Sequence, residues 1–299
     1  MSKNFQAHLA LITVSIVYAA TFSVIKEVIP IHLTSEAFVI LRIACSLILF
    51  GLISAFIIRE KIERVDIPRL MLLGLTGVAI NQSFFLKGLS ITTPINAAII
   101  MVSNPVFVLI FSVLMKNEKM SIYKIAGLSL GVSGALLLLM FNKHFEFGSE
   151  TIAGDLLILV NSFSWAIYVV LVKPLMLKYN AFTIVKWTFL FGLIYVLPFG
   201  YNEFIQTNWS AITPHVWVNI SFVVFGSTFL AYVLNTYALR ALSPSAMSVY
   251  VYFQPFLTTL VAIIFYRNDA LDTRKIISGA LIITGVYLVS RPVKNNTGN

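Results

Sequence analysis

This sequence predicts an all-α integral membrane protein with ten transmembrane helices arranged as two inverted five-helix repeats. Three observations carry that expectation. First, 59% of the residues are hydrophobic and only 11% are charged, with a mean hydropathy of +0.90. Water-soluble domains carry roughly 25% charged residues, so charge cannot cover this surface and lipid is the solvent it suits. Second, ten apolar runs approach the ~20 residues an α-helix needs to cross a bilayer. Third, the last five runs repeat the first five.

The runs lie at about 8–28, 36–58, 68–89, 94–115, 122–141, 153–172, 181–199, 215–239, 244–266 and 273–291. None alternates with period two, and each is about twice the length of a barrel strand, so helices are expected. Residues 1–8 hold one lysine, and no small-residue cleavage site follows the first run. That run therefore reads as a retained helix and not a removed signal peptide. The longest connectors are "REKIERVDIPR" (59–69), "NKHFEFGSE" (142–150) and "YNEFIQTNWSAITPH" (201–215), too short to fold as soluble domains. Cys45, the only cysteine, sits within an apolar run, so no disulfide can form inside the chain.

The formal charge of +9 is spread through connectors and forms no stripe on a polar face, which argues against nucleic acid as a partner. Bases in short connectors mark the cytoplasmic side instead. With the N-terminus inside, fourteen lysines and arginines fall on the cytoplasmic side and six on the other, Arg42 lying within a helix. A multi-pass protein of the cell (inner) membrane with both termini cytoplasmic is expected.

The repeat is clearest in "TTPINAAIIMVSNP" (92–105) and "LSPSAMSVYVYFQP" (242–255). Each opens on a hydroxyl residue and a proline and closes on an amide and a proline. At the same spacing of 150, Leu89 matches Leu239; at 147, Ser15 matches Ser162, Tyr18 matches Trp165 and Lys26 matches Lys173. Slightly farther along, Glu118 matches Asp269, Lys124 matches Lys275 and Gly134 matches Gly285. The repeats are expected at 8–141 and 153–291. Five helices is an odd number, so the second copy enters the membrane from the opposite side. Inverted repeats place a solute site near the midplane where the copies meet.

Residues 92–134, together with "GDLLILVNSFSWAIYVVLVKPL" (154–175), resemble the EamA family of the drug/metabolite transporter superfamily. Glu118 followed by a glycine-rich helix (Gly127, Gly134) is part of the likeness, which covers nearly the whole chain. Asp269 departs from it, standing where the family usually has glutamate. The resemblance implies a ten-helix carrier with termini inside that exports amino acids or other small metabolites, including amphipathic compounds. A nucleotide-sugar or phosphorylated-sugar antiporter of the same superfamily is the alternative within transport. A non-transporting membrane scaffold is the alternative outside it.

Turning helices 4 and 9 by about 100° per residue places Asn96, Ser103, Asn104, Tyr250 and Gln254 in one sector. Ala98, Ser245 and Ser248 fall opposite, where small residues allow close helix approach. The first face is expected to line a cavity, although its amides could equally tie helices together. Tyr18, Trp165 and Tyr168 form an aromatic set on helices 1 and 6. Asn81 and Gln82 on helix 3, and Asn235 on helix 8, are further candidates. Arg42 is a charge inside the membrane and Lys87 lies near a helix end; either could receive a carboxylate or serve structure. None of the twelve acids falls mid-helix, so facilitated transport, or coupling near the helix ends, is expected. No metal spacing, nucleophile motif or phosphate loop appears, so neither a cofactor nor an enzyme activity is expected. Gly127 and Gly131 have GxxxG spacing, which fits packing within one chain or between two, leaving monomer or homodimer open.

Overall fold

The computed structural model describes residues 3–56, 58, 60–140, 151–261 and 273–291. These are helices and short connectors, with no strand among the described residues. In chain order they are α1 (Lys3–Val28), α2 (Ser35–Phe56), α3 (Arg64–Ile91), α4 (Pro94–Leu114) and α5 (Ile122–Met140). There follow α6 (Ile152–Val172), α7 (Ala181–Gln206), α8 (Pro214–Ala241), α9 (244–261) and α10 (Thr273–Ser290). Seven stretches are long and apolar enough to cross a membrane, and Ile122–Leu137 and Ile276–Ser290 are shorter apolar helices. Arg59, Lys143, Arg267, Asp269 and Lys294, which enter the charge bias or the repeat, lie outside the described residues.

Local chemistry explains where the helices begin and break. Thr93 and Ser243 are N-caps whose hydroxyls accept the backbone N–H of Asn96 and Ala246, and Pro94 and Pro244 take the first helical position. Proline suits that position because its missing N–H would have had no partner there. The second prolines act differently. A turn at Val102 and Ser103 divides α4 into Pro94–Met101 and Asn104–Leu114. In α9 a tight 3₁₀ segment, Val249–Tyr252, precedes Phe253–Val261. Two π-helical turns, Leu75–Ile80 and Val223–Leu230, widen the middles of α3 and α8. Helix α7 runs on to Gln206 through Pro198, so the first part of the expected 201–215 connector is helical.

Main packing partners are α5 with α10, α2 with α7, α3 with α6, and α1 with α8. Helix α4 also lies against α6, and α9 against α1. Lipid tails are as apolar as leucine, so such contacts rest on close packing and hydrogen bonds more than on apolar transfer. Gly127 and Gly285 show this: a Cβ on either would come within 2.7 and 2.6 Å of the other's carbonyl oxygen. The expected glycine stripe therefore packs within the chain, α5 against α10. Phe50, fully buried, holds α2 to α7 and α8 through Phe189 and Phe229, with centroids 5.2 and 4.8 Å away.

Two lysines close the ends of the repeated elements. Lys26 Nζ donates to the Thr92 carbonyl at 2.9 Å, at the end of α3. Lys173 Nζ donates to the Leu239 carbonyl and, at 2.8 Å, to the Leu242 carbonyl at the end of α8. Cations suit these positions because the last carbonyls of a helix lack partners and carry its negative dipole end. Between helices, Lys178 ties Asp66 and Glu63 together at 2.7 and 2.6 Å. The hydrogen bonds it donates to Asp66, then Glu63, hold its ammonium well above the ordinary lysine range.

Candidate functional site

A cleft of about 100 Å³ lies where seven helices meet at mid-length. From the first half it is lined by Tyr18, Thr21 and Phe22 of α1, Arg42 of α2, Asn81, Gln82 and Phe85 of α3, and Met101 and Asn104 of α4. The second half supplies Asn161 and Trp165 of α6, Ser227 and Tyr232 of α8, and Val251 and Gln254 of α9.

The wide turns position much of this lining. A π-turn loosens the backbone ladder and commonly occurs at functional sites. In α3, the Gly77 carbonyl accepts the Tyr232 hydroxyl at 2.6 Å, and the Thr76 carbonyl accepts the Ser164 hydroxyl at 2.5 Å. Gln82 Nε2 then donates to the Tyr232 oxygen at 3.3 Å. In α8, Thr228 donates its hydroxyl to the Val223 carbonyl at 2.9 Å and accepts Arg42 Nε at 2.9 Å. Asn161 and Asn81 donate to each other's backbone carbonyls at 2.7 and 3.5 Å, and Asn104 donates to the Ser162 carbonyl at 2.9 Å.

Three buried polar atoms of the lining have no protein partner: Arg42 Nη1, Gln82 Oε1 and Asn104 Oδ1. Aromatic rings close the walls. Trp165 lies edge-on to Tyr232, with centroids 5.6 Å apart, and Phe22 meets Phe85 in the same manner at 5.6 Å. The arrangement offers one cation, two neutral acceptors and flat apolar faces, which suits a small amphipathic solute.

Of the expected candidates, Tyr18, Arg42, Asn81, Gln82, Asn104, Trp165 and Gln254 come together in this cleft. Asn235 and Tyr250 line a small adjoining space of about 30 Å³ that shares Tyr18, Trp165 and Gln254 with it. There Asn235 donates to the Tyr18 oxygen at 3.3 Å, and the Tyr250 hydroxyl meets His8 Nδ1 at 2.5 Å. Asn96, Ser103 and Tyr168 line neither space. Asn96 is buried on the first segment of α4, beyond the break that ends the common helical frame. The Ser103 hydroxyl is taken by the Ile100 carbonyl at 2.7 Å. Tyr168 stands behind Trp165, at a centroid distance of 5.0 Å, and is 1% exposed. Ser245 packs as expected, its N–H and hydroxyl held by Glu118 at 2.9 and 3.0 Å, whereas Ser248 lines the adjoining space. Lys87 is away from the cleft, paired with Glu36 at 3.0 Å. Phe22, Phe85, Ser227 and Tyr232 carry no local sign of cavity lining, since an ordinary aromatic or serine is not marked by sequence; Asn161, a mid-helix amide like Asn81, carries such a sign and is a missed candidate.

Among the described residues, no group of three or more His, Cys, Asp and Glu side chains could hold a metal ion. A bundle of apolar helices around a central cleft with a few polar side chains fits a multi-pass membrane protein of the transporter kind. The model of the EamA-like transporter family matches residues 5–140 and again residues 152–291, so the chain belongs to that family. An uncharacterized transporter of Archaeoglobus fulgidus is 31% identical, the alignment covering 96% of this chain and 98% of that protein. A WAT1-related protein of Arabidopsis thaliana is 26% identical, over 97% of this chain and 82% of that one. A crystal structure with a TM-score of 0.72 and 19% identity covers 96% of both chains and shares the fold.

Proposed function

We propose that this protein carries small metabolites across the cell membrane, as an exporter, by alternating access of the central cleft to the two sides. The observation that carries this reading is the cleft itself, at mid-helix depth, lined from both halves and left with unpaired hydrogen-bonding atoms. Buried polar atoms in a membrane protein are costly unless they are used. Ten transmembrane helices in two inverted repeats, 8–141 and 153–291, complete the reading, with both termini cytoplasmic. The packing supports it. Exchanging α1–α5 for α6–α10 maps α1 on α8 onto α6 on α3, leaves α2 on α7 and α5 on α10 in place, and exchanges the two lysine clasps. Two such halves can rock about a fixed site.

Substrate contacts fall to Tyr18, Arg42, Asn81, Gln82, Asn104, Trp165 and Gln254, with Asn235 and Tyr250 along the adjoining space. Among the described residues Arg42 is the only cation in the lining, which favours a small metabolite over a phosphorylated sugar. The test compares metabolites released by cells that overexpress the wild type or Asn104→Ala, Trp165→Ala and Gln254→Ala variants. Each variant is expected to lower release of the affected solute at least tenfold at equal membrane expression. Unchanged release in all three would favour a scaffold. Among the described residues no acid lines the cleft, so a pH difference alone is expected not to drive accumulation in liposomes.

A further inference from the structure

Arg42 is 5% exposed, yet among the described residues its guanidinium has no acidic partner, and it lies in the wall of the central cleft. Its Nε is engaged by Thr228 at 2.9 Å, and the Phe38 ring lies 5.8 Å from its Cζ. Nη1 is buried without a partner. Snorkelling to the headgroups would leave the head of such a side chain exposed, and this one is held inward by Thr228. An enclosed guanidinium without a counter-charge is a site for an anion, and its planar fork matches a carboxylate.

We infer that the solute is a monocarboxylate with an aromatic or similarly flat apolar body and no ammonium group. This rests on the cleft being the transport site. The carboxylate is received at Arg42 Nη1, and the body lies among Phe22, Phe85 and Trp165. Charge sets the number of ionised groups: among the described residues of the lining, one cation and no acid balance a single negative charge. A zwitterion would bring an ammonium to a wall whose remaining free acceptors, Gln82 Oε1 and Asn104 Oδ1, are neutral amide oxygens. Those oxygens suit a hydroxyl on the solute, which needs a partner but no counter-charge.

The test uses the purified full-length protein and four probes that share a phenyl ring: phenylacetate, phenylacetamide, phenethylamine and phenylalanine. Calorimetric titration is expected to show phenylacetate binding at least tenfold more tightly than the other three. Arg42→Gln is expected to remove that preference, weakening phenylacetate at least tenfold while phenylacetamide binds as before. Thr228→Val, which releases the guanidinium but keeps its charge, is expected to weaken phenylacetate to a lesser degree; it supplies the comparison if Arg42→Gln does not fold. Phenylalanine or phenethylamine binding as tightly as phenylacetate would overturn the inference, as would a preference untouched by both substitutions. Binding by none of the four would overturn it too. If the release test on Asn104, Trp165 and Gln254 still showed losses, the transport site would stand without this substrate class; failure of both would remove the site.

Discussion

The wide turns of α3 and α8 occupy matching places in the two halves, yet their polar groups are spent differently. In α3 the loosened carbonyls of Thr76 and Gly77 are taken by Ser164 and Tyr232, side chains of the other half. In α8 the Val223 carbonyl is satisfied from within, by Ser227 and Thr228 of its own turn, at 3.0 and 2.9 Å. Thr228 is then available to hold Arg42. Both turns bond across the halves, the first through its backbone carbonyls and the second through Thr228 on Arg42, the only cation of the lining among the described residues. A repeated backbone irregularity thus has no fixed use, and the side chains around it decide whether it serves assembly or recognition.

The largest effect that would sharpen this contrast is steric. A Cβ on Gly77 would sit 2.1 Å from a ring carbon of Tyr168, which is fully buried behind Trp165. Gly77→Ala is expected to cost about 3 kcal/mol or more, since overpacking a tight site forces backbone or ring to move. The corresponding addition in the other turn, Gly226→Ala, meets Val17 at 3.2 Å and is expected to change stability by less than about 1 kcal/mol. Thermal unfolding of both variants in detergent is the measurement. Equal losses would show that the α3 turn is no more tightly built into the interface than the α8 turn.

Much of this frame was legible in the sequence because it repeats. The hydroxyl-proline starts of α4 and α9, Lys26 against Lys173, and the polar set Arg42, Asn104, Trp165 and Gln254 are all visible as spacing or as polarity out of place. The wide turns were not legible: "LTGVAI" and "VVFGSTFL" carry no signal that separates a π-turn from ordinary helix. The break inside α4 has a sign in Pro105; because of it a uniform 100° rotation does not extend from Asn104 back to Asn96, which lies off the cleft. Tyr232 could have been found only through its partner. It falls opposite Gln82 at the repeat spacing of 150, so an aligned amide and phenol marked the pair that the structure joins.

A second comparison concerns the lysine clasps, where the expected effect is intermediate. Lys173 serves two carbonyls and Lys26 one. Charge-assisted hydrogen bonds contribute about 1.5–3 kcal/mol, so Lys173→Met is expected to cost more than Lys26→Met, about 2–3 against about 1.5 kcal/mol. Both should lower the melting temperature in detergent. An order reversed between the two would show that the clasp of the first half carries additional contacts, and would break the equivalence on which the inverted-repeat reading leans.

The smallest expected effect is the most demanding of symmetry. Thr93 and Ser243 cap α4 and α9 in the same way, each hydroxyl oxygen accepting the N–H three residues on, at 3.1 and 3.3 Å. Loss of such a cap costs about 1 kcal/mol, so Thr93→Ala and Ser243→Ala should lower stability by similar amounts. The surroundings differ, however. Ser245, two residues into α9, places its N–H and hydroxyl on Glu118, and Glu118 is also paired with the buried Lys124. That carboxylate already supplies negative charge to the positive end of α9, whereas at α4 the matching Ile95 offers no side-chain donor and Asp155 takes the hydroxyl of Thr92, just before the cap. Thr93→Ala is therefore expected to be the more harmful of the two by a few tenths of a kcal/mol. Replacing Glu118 with glutamine should bring Ser243→Ala up to the same loss. A double-substitution cycle over Glu118 and Ser243, read by thermal unfolding, decides it; strict additivity would mean that the acid and the cap do not share the end of α9.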